Sequence, residues 1–278
     1  MRFVSFASSS SGNSTLISYK NTNILVDCGI SRKRIIDNLS RYNLNISDID
    51  CILLTHSHAD HVQGLKYILK SDDIKVLGLR ETLLSVAKSL ESSDIKVNYD
   101  NFKILRPVNL LNDTEGIQIK DITVYPLKGC HDVPTLYYKF RLGNETLAIL
   151  TDMGKFDDNV IRNLSDVNYL MLECNYDIQM LMESNRPEVL KSRILGEGGH
   201  LSNVECCEII AKISNPGLKA IYLSHISAEA NSEEYALEYV NKYIDDNKED
   251  FKFIPKVSIA RRLDYTEILN DDIGDINL

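Results

Sequence analysis

The chain has 278 residues, a formal net charge of −9, and 44% hydrophobic and 26% charged residues. These values are ordinary for a globular protein with a full hydrophobic core. The acidic balance argues against a protein that coats nucleic acid nonspecifically, because such proteins carry a basic field.

Neither a membrane span nor a secretion signal is expected. No apolar run approaches the ~18 residues that cross a bilayer. Residues 1–6 start like a strand and lack the layout of a signal peptide. The six cysteines form no CxxC pair. We therefore expect reduced thiols and a cytoplasmic protein.

Strands and helices are predicted to alternate along the chain. Apolar runs and period-two alternation predict strands at residues 2–7, 15–19, 23–27, 51–54, 75–78, 117–126, 136–142, 146–150, 169–173 and 220–224. Helical spacing predicts helices at residues 31–44, 62–69, 81–90, 202–213 and 232–243. Gly143 and Asn144 predict a short hairpin turn. The pattern indicates a layered α/β fold in one domain, residues 1–265, followed by an acidic tail at 266–278.

Residues 55–61, THSHADH, place three histidines and an aspartate directly after the strand at 51–54. Imidazole and carboxylate groups are typical ligands of zinc and its neighbours in the transition series. A strand-to-helix corner holds such side chains on a fixed backbone, as a preorganised metal site requires. The alternative is a solvated histidine-rich loop, but half of the six histidines in the chain lie in this segment.

Three further candidate ligands, His131, Asp152 and His225, each follow a predicted strand. A single histidine or aspartate at a strand end is commonly only a polar boundary residue. Together with residues 55–61, however, these three would complete the larger ligand set that a two-metal site needs.

These residues and their order resemble the metallo-β-lactamase superfamily, and the resemblance spans residues 1 to about 260. It implies an αββα four-layer sandwich that holds two divalent metal ions. By position, the first ion would be held by His56, His58 and His131. The second would be held by Asp60, His61 and His225, with Asp152 bridging the two.

Asp27 matches an aspartate that ends an early strand in the family, which implies that it hydrogen-bonds the histidine loop. The alternative is that it only initiates the turn before Gly29. Many true β-lactamases use a cysteine in the second metal site, where this chain offers Asp152. Cys130 adjoins His131 but is expected to point to the opposite face of an extended segment. A β-lactam substrate is therefore not expected.

Residues 198–205, GGHLSNVE, are similar to an element of the RNA- and DNA-cleaving members, in which its histidine serves the scissile phosphate. His200 is expected to open a helix whose free backbone N–H groups, with Ser202 and Asn203, can bind a phosphate. Glu173 resembles the acidic residue that orients this histidine. The alternative is that His200 caps the helix and Glu173 pairs with a surface cation.

A small basic island lies at residues 186–194 of this acidic chain. Its members Arg186, Lys191 and Arg193 are candidates to neutralise flanking phosphates. They are equally well explained as solvated charges on a helix.

The serine-rich turn SSSSGNST at residues 8–15, taken with residues 55–61 and 199–203, resembles the YycJ/WalJ group of small bacterial members of the superfamily. The resemblance implies 5′-to-3′ exonuclease activity on double-stranded DNA. We expect a nucleic acid substrate, DNA rather than RNA, and no membrane partner. The turn is expected to reach the site and contact a phosphate or sugar, although serine and glycine are also the default residues of turns.

The expected chemistry is phosphodiester hydrolysis by attack of a hydroxide shared between the two metal ions. Asp60 would orient this hydroxide, and His200, held by Glu173, would protonate the leaving alkoxide. The ligand set favours Zn²⁺ and can also accept Mn²⁺ or Fe²⁺.

Two enzymatic alternatives would use similar ligands: a phosphodiesterase for a small or cyclic nucleotide, and a thioesterase of the glyoxalase II type. A third alternative, from another class, is a non-catalytic binding protein. Such a protein is expected to have lost ligands, whereas all seven positions are filled here. The fold alone does not choose among these functions.

Overall fold

The computed structural model describes residues 1–108 and 115–270. Within them, the strands form two sheets of seven strands each. In spatial order, the first sheet contains β14 (Thr266–Asn270), β1 (Arg2–Ser9), β2 (Gly12–Tyr19), β3 (Thr22–Val26), β4 (Cys51–Leu53), β5 (Lys75–Gly78) and β6 (Phe102–Ile104). The second contains β13 (Lys256–Ile259), β12 (Ala220–Ser224), β11 (Tyr169–Glu173), β10 (Glu145–Leu150), β9 (Leu136–Leu142), β8 (Ile122–Lys128) and β7 (Ile117–Ile119).

Helices flank both sheets. They are α1 (Arg32–Ser40), α2 (Ala59–Val62), α3 (Leu65–Leu69), α4 (Arg80–Glu91), α5 (Asp158–Leu164), α6 (Ile178–Glu183), α7 (Glu188–Leu195), α8 (Asn203–Ile213) and α9 (Glu233–Asp246). Short 3₁₀ helices lie at Ile46–Asp48, Tyr99–Asn101 and Lys248–Asp250. In the part of the chain that the structure describes, no helix combines the length and apolarity needed to cross a bilayer.

The core between the two sheets follows from the alternation of side chains along the strands. In β3, Ile24 and Val26 face the second sheet, while Leu25 between them faces the helices outside. The facing positions of the second sheet include Phe140, which is completely buried. Two buried faces on each strand explain why these segments are almost continuously apolar.

Each outer face of the sandwich is covered by amphipathic helices. Ile35 of α1 and Leu83 of α4 pack with buried residues of the first sheet. Ile210 of α8 and Val240 of α9 pack in the same way on the second sheet. The predicted αββα four-layer sandwich is thereby confirmed.

One edge of the sandwich collects the ends of many strands. Strands β3 to β6 run parallel to one another, as do β10 to β13. Their carboxyl ends therefore meet at a common edge, where ligand sites of α/β proteins are built. Asp27 directly follows β3, Glu173 ends β11, and His225 directly follows β12.

Several predicted boundaries differ from the structure. Residues 117–126, predicted as one strand, contain the hairpin of β7 and β8, because Lys120 turns the chain with a φ of 47°. The helix predicted at 31–44 ends at Ser40. Residues 266–270, predicted as the start of an acidic tail, form β14, where the buried side chain of Ile268 joins the core between the sheets. Residues 271–278 lie outside the described residues. The turn at Gly143 and Asn144 is confirmed, since Leu142 pairs with Glu145.

Removal of the Phe140 ring should lower the free energy of unfolding by about 3–5 kcal/mol, because Phe140→Ala leaves a cavity between the two sheets. Val189→Ala is the control, since Val189 is 83% exposed and its change should stay within about 0.5 kcal/mol. Urea unfolding followed by circular dichroism measures both. Equal destabilisation by the two changes would contradict the assignment of Phe140 to the core.

Candidate metal centre

The structure brings all seven sequence-predicted metal ligands together at the common edge of the sandwich. Three of them, His56, His58 and His131, offer donor atoms that lie within 4.8 Å of one another. His131 Nε2 is 3.3 Å from His58 Nδ1. This cluster, called here the first group, joins the loop after β4 to the loop after β8.

A second group consists of Asp60, His61 and His225, whose donor atoms also lie within 4.8 Å of one another. Asp60 Oδ2 is 3.5 Å from His61 Nε2 and 3.5 Å from His225 Nε2. The group therefore combines helix α2, which follows β4 of the first sheet, with the end of β12 in the second sheet.

Asp152 lies between the two groups. Its Oδ2 atom is 3.0 Å from His61 Nε2, and its Oδ1 atom is 3.6 Å from His225 Nδ1 and 3.9 Å from His131 Nε2. It also clusters with His56 and His61. This position is consistent with a carboxylate that bridges two ions.

Three donor atoms in this cluster are buried and have no hydrogen-bond partner among the described residues: His56 Nε2, His225 Nε2 and Asp152 Oδ2. Asp152 Oδ2 and His61 Nε2 are close but do not form a hydrogen bond. Buried polar atoms ordinarily have a hydrogen-bond partner. Unpartnered donor atoms that point toward one another therefore indicate a binding site for a cation. Imidazole nitrogens and carboxylate oxygens are the donors that zinc and related divalent ions take. The residues present therefore fit a divalent metal centre.

Asp27 forms hydrogen bonds with the histidine loop, as predicted. Its Oδ1 atom accepts a hydrogen bond from Thr55 N at 2.9 Å, and its Oδ2 atom accepts one from Thr55 Oγ1 at 2.8 Å. His61 Nδ1 lies 2.7 Å from the same Oδ2 atom. Because a carboxylate can only accept, Nδ1 carries the proton, and Nε2 is left to face the cluster.

The charged groups of the site shift one another's protonation. Burial would lower the pKa of the His61 imidazole, but the carboxylates of Asp152 and Asp27 raise it well above its ordinary value. Burial opposes the charge on His225 as well, and the carboxylates around it, led by Asp152, raise its pKa to about 10. His225 and His61 in turn hold the pKa of Asp152 well below its usual range, despite burial. These shifts share one cause, the attraction of the buried carboxylates for positive charge, which a bound cation would also satisfy.

Three site residues adopt left-handed backbone conformations: Asp27, Asp152 and His225 have φ angles of 60°, 58° and 51°. Residues other than glycine seldom occupy this region, and when they do they concentrate at functional sites. Each of the three stands just past the end of a strand. The turn there aims the side chain across the edge of the sheet instead of along its face.

His200 and Glu173 form the predicted pair. His200 Nδ1 lies 2.8 Å from Glu173 Oε1, and Glu173 Oε2 accepts hydrogen bonds from the backbone of Met153 and Leu201. The same Oε1 atom is 2.9 Å from His225 Nδ1, so Glu173 orients two histidines. Burial would raise the pKa of Glu173, but the charges and hydrogen bonds of His200 and His225 lower it to about 2.

One expectation for His200 is wrong. It does not open α8, which begins at Asn203 after an N-cap at Ser202. The reason is a capping box in which Ser202 Oγ accepts from Glu205 N and the Glu205 carboxylate accepts from Ser202 N. His200 thus belongs to the preceding loop, where its side chain is 19% exposed.

Three of the five predicted phosphate contacts have other partners inside the fold, and a fourth, Arg186, donates from Nε to Glu229 Oε2 at 2.9 Å. Lys191 is buried and donates to Met182 O at 2.7 Å. The Ser202 hydroxyl is used in the cap of α8, and Asn203 Oδ1 accepts from Asn231 Nδ2 at 2.8 Å. These side chains are turned inward, so we do not assign them to substrate. Arg193 is at the surface, where its Nε donates to Asp132 Oδ2 at 2.6 Å.

Two polar residues at the site were not singled out from the sequence. Asp132 places Oδ1 3.3 Å from the Nε2 atoms of both His58 and His131. Asn13 places Nδ2 3.2 Å from Asp60 Oδ2. Asp132 was detectable only as the neighbour of His131, and Asn13 only as part of a turn rich in serine.

Comparison with known proteins agrees with this fold and site. A family model described as the beta-lactamase superfamily domain matches residues 22–226. The chain belongs to the beta-lactamase superfamily, and its fold and donor clusters are those of a metallo-β-lactamase-fold hydrolase.

The resemblance to the YycJ/WalJ group is also confirmed. The exodeoxyribonuclease YycJ of Bacillus anthracis is 28% identical over 247 residues, which cover 88% of this chain and 90% of that relative. The exodeoxyribonuclease WalJ of Streptococcus pneumoniae serotype 2 is 29% identical over 231 residues, which cover 83% of each chain. The crystal structure of the metallo-beta-lactamase fold protein YhfI from Bacillus subtilis has a TM-score of 0.66 at 16% identity, and covers 96% of this chain and 100% of that chain. The last likeness shows the fold alone.

Replacement of Asp152 should lower the metal content by at least one equivalent per chain, because no other carboxylate occupies the position between the two groups in the described structure. Asp152→Asn is preferred to alanine, since asparagine tolerates the positive φ angle at this position. Elemental analysis after gel filtration measures the metal content. Asp158→Asn, which changes an exposed aspartate nearby, is the matched control. Retention of two equivalents by Asp152→Asn and by Asp152→Ala would refute the bridging role.

Proposed function

We propose that this protein is a metal-dependent nuclease that hydrolyses phosphodiester bonds, and that its substrate is double-stranded DNA degraded from the 5′ end. One observation carries the proposal: Asp152 lies between two donor groups, and His200 lies beside them, paired with the buried carboxylate of Glu173. Two relatives that align over most of this chain are exodeoxyribonucleases, which supports DNA as the substrate.

The first group would hold one divalent ion and the second group another, with Asp152 shared between them. When bound, such ions would supply Lewis acidity and activate water near neutral pH. Zn²⁺ fits these donors best, and Mn²⁺ or Fe²⁺ are also accommodated by histidine and carboxylate.

The open side of the site is formed by partly exposed side chains. The side chain of His58 is 28% exposed, that of Asp60 20% and that of His200 19%, whereas the side chains of the remaining ligands and of Glu173 are buried. A substrate phosphate would therefore approach from the side of these three residues. Asp60 is placed to orient the attacking water through its carboxylate.

His200 is placed to protonate the leaving oxygen. Its Nδ1 atom is committed to Glu173, so Nε2 is the nitrogen available for proton transfer. The buried carboxylate of Glu173 fixes the orientation of the ring, as a positioned proton donor needs. In its turn, Glu173 is held by two backbone N–H groups, from Met153 and Leu201.

A second candidate, hydrolysis of a small or cyclic phosphodiester, is favoured by the position of the predicted phosphate contacts. Three of the five point into the fold, Arg193 is paired with Asp132, and Arg186 is paired with Glu229. These five side chains are thus engaged within the protein and would not by themselves grip a long polymer. Dependence of the rate on substrate length separates the two candidates, because only a nuclease should prefer a polymer to a dinucleotide.

His200→Ala should slow turnover by ~10²–10⁴-fold, the usual effect of losing a general acid, while two metal equivalents stay bound. Metal content must be measured alongside rate, because His200 and Glu173 also cluster with Asp152 and His225 in a geometry that could hold an ion. Glu173→Gln is the companion variant and should slow turnover in the same direction. If His200→Ala loses metal together with activity, His200 is a ligand and not an acid.

The decisive assay is degradation of linear duplex DNA, labelled separately at each end, by protein loaded with Zn²⁺ or Mn²⁺. We expect mononucleotides to be released from the 5′ end. Asp60→Ala, purified in parallel, controls for contaminating nucleases and should release none. Absence of cleavage by protein that carries two ions would reject the nuclease, and a cyclic dinucleotide and a thioester would then be assayed with the same preparation.

A further inference from the structure

The turn between β1 and β2 carries a side chain into the second donor group. Asn13 is 5% exposed, and its Nδ2 donates to Ser9 O at 2.9 Å and to Asp60 Oδ2 at 3.2 Å. The same nitrogen lies 2.9 Å from His61 Nε2. The serine-rich turn thus reaches the site through Asn13, at a ligand carboxylate.

Each member of the second group contacts a polar residue that is not itself a member of the group. His61 is held by Asp27 at 2.7 Å, and His225 is held by Glu173 at 2.9 Å. Asp60 is the most exposed of the three and stands at the start of the short helix α2. Among the described residues, Asn13 donates the hydrogen bond that reaches its carboxylate from outside the group.

The backbone fixes Asn13 against Asp60. Gly29 N donates to Asn13 O at 2.7 Å. A Cβ atom on Gly29 would stand 1.5 Å from Asp60 O and 2.7 Å from Asn13 N, so only glycine permits this approach. On the other strand of the hairpin, Ser8 Oγ accepts from His225 N at 2.9 Å. The hairpin therefore touches both ends of the second group.

The two N–H bonds of the Asn13 amide are compatible with a metal ion bound at the second group. Apart from His61 Nε2, the two N–H bonds of Asn13 face three oxygen acceptors, and Ser9 O and Asp60 Oδ2 are nearer than Asp60 O, which lies at 3.4 Å. A carboxylate oxygen has two lone pairs, so Oδ2 can accept from Asn13 and still bind a cation. The amide would thereby favour one orientation of the Asp60 carboxylate.

We propose that Asn13 is a positioning residue that holds Asp60 for the second metal ion and leaves the first ion unaffected. The proposal rests on the two-metal centre of the proposed function. The asymmetry follows from the contacts of the first group, which lie elsewhere: Thr55 with His56, Asp132 with His58, and Gly199 with His131. Loss of a group that orients a ligand weakens metal affinity by about 10- to 100-fold.

The test is a Zn²⁺ titration of the full-length, metal-free protein in competition with a chromophoric chelator, with native mass spectrometry to count bound ions. Asn13→Ala removes the amide, and Asn13→Leu keeps nearly its shape without a donor. Ser14→Ala is the matched control, because Ser14 is the next residue of the same strand and its buried hydroxyl has no hydrogen-bond partner among the described residues. The melting temperature of each metal-free variant is measured in parallel.

We expect both Asn13 variants to raise the second dissociation constant by about 10- to 100-fold and to keep the first, while Ser14→Ala keeps both. Parental constants in Asn13→Ala would overturn the proposal. A parental second dissociation constant in Asn13→Leu would show that Asn13 acts through packing alone. An equal rise of both dissociation constants would show a general effect on the protein. Either result overturns the proposal. If the parental protein binds fewer than two ions, the two-metal function itself fails, and the role of Asn13 fails with it.

Discussion

Three buried carboxylates, those of Asp27, Asp152 and Glu173, are the constraint on which the site depends. Each is almost completely withdrawn from water. A buried charge without partners costs several kcal/mol, so the surrounding chain must supply cations or hydrogen-bond donors. Here the donors are imidazoles, backbone N–H groups, the Thr55 hydroxyl and the Asn175 amide. The carboxylates therefore dictate where the histidines stand.

These carboxylates also tie the two sheets together at their shared edge. Asp27 follows a strand of the first sheet and grips the histidine loop. Glu173 ends a strand of the second sheet and contacts both His200 and His225. Asp152 meets histidines from both sides. Packing in the core brings the two sheets face to face. The contacts of the three carboxylates fix the relative positions of the site residues that come from the two sheets.

The sequence predicted the ligand set better than the substrate contacts. Residues 55–61 are contiguous, and their spacing after a strand restricts where their side chains can go. Asp152 and His225 were recognisable because each follows an apolar strand whose end is readable in the sequence. Lys191 and Asn203 had no such restriction, and the structure turned both inward. The side of a short helix or loop that faces the site depends on packing that no local pattern records.

The elements predicted least well are those whose stability comes from distant partners. β14 is a strand because it pairs with β1, more than 250 residues away, and because Ile268 fills the core. Asn13 is a similar case, since its importance depends on Gly29 and Asp60 approaching it from other parts of the chain. Contacts of this kind have no signature within a short window of residues.

By itself, the sequence determined the αββα layering and the identity of the candidate ligands. Both rest on local regularities: apolar periodicity, and polar residues at strand ends. Only the tertiary structure decided which ligands group together, which carboxylate holds which imidazole, and which side chains remain open to substrate. Those outcomes depend on distances across two sheets, and such distances are set when the core packs.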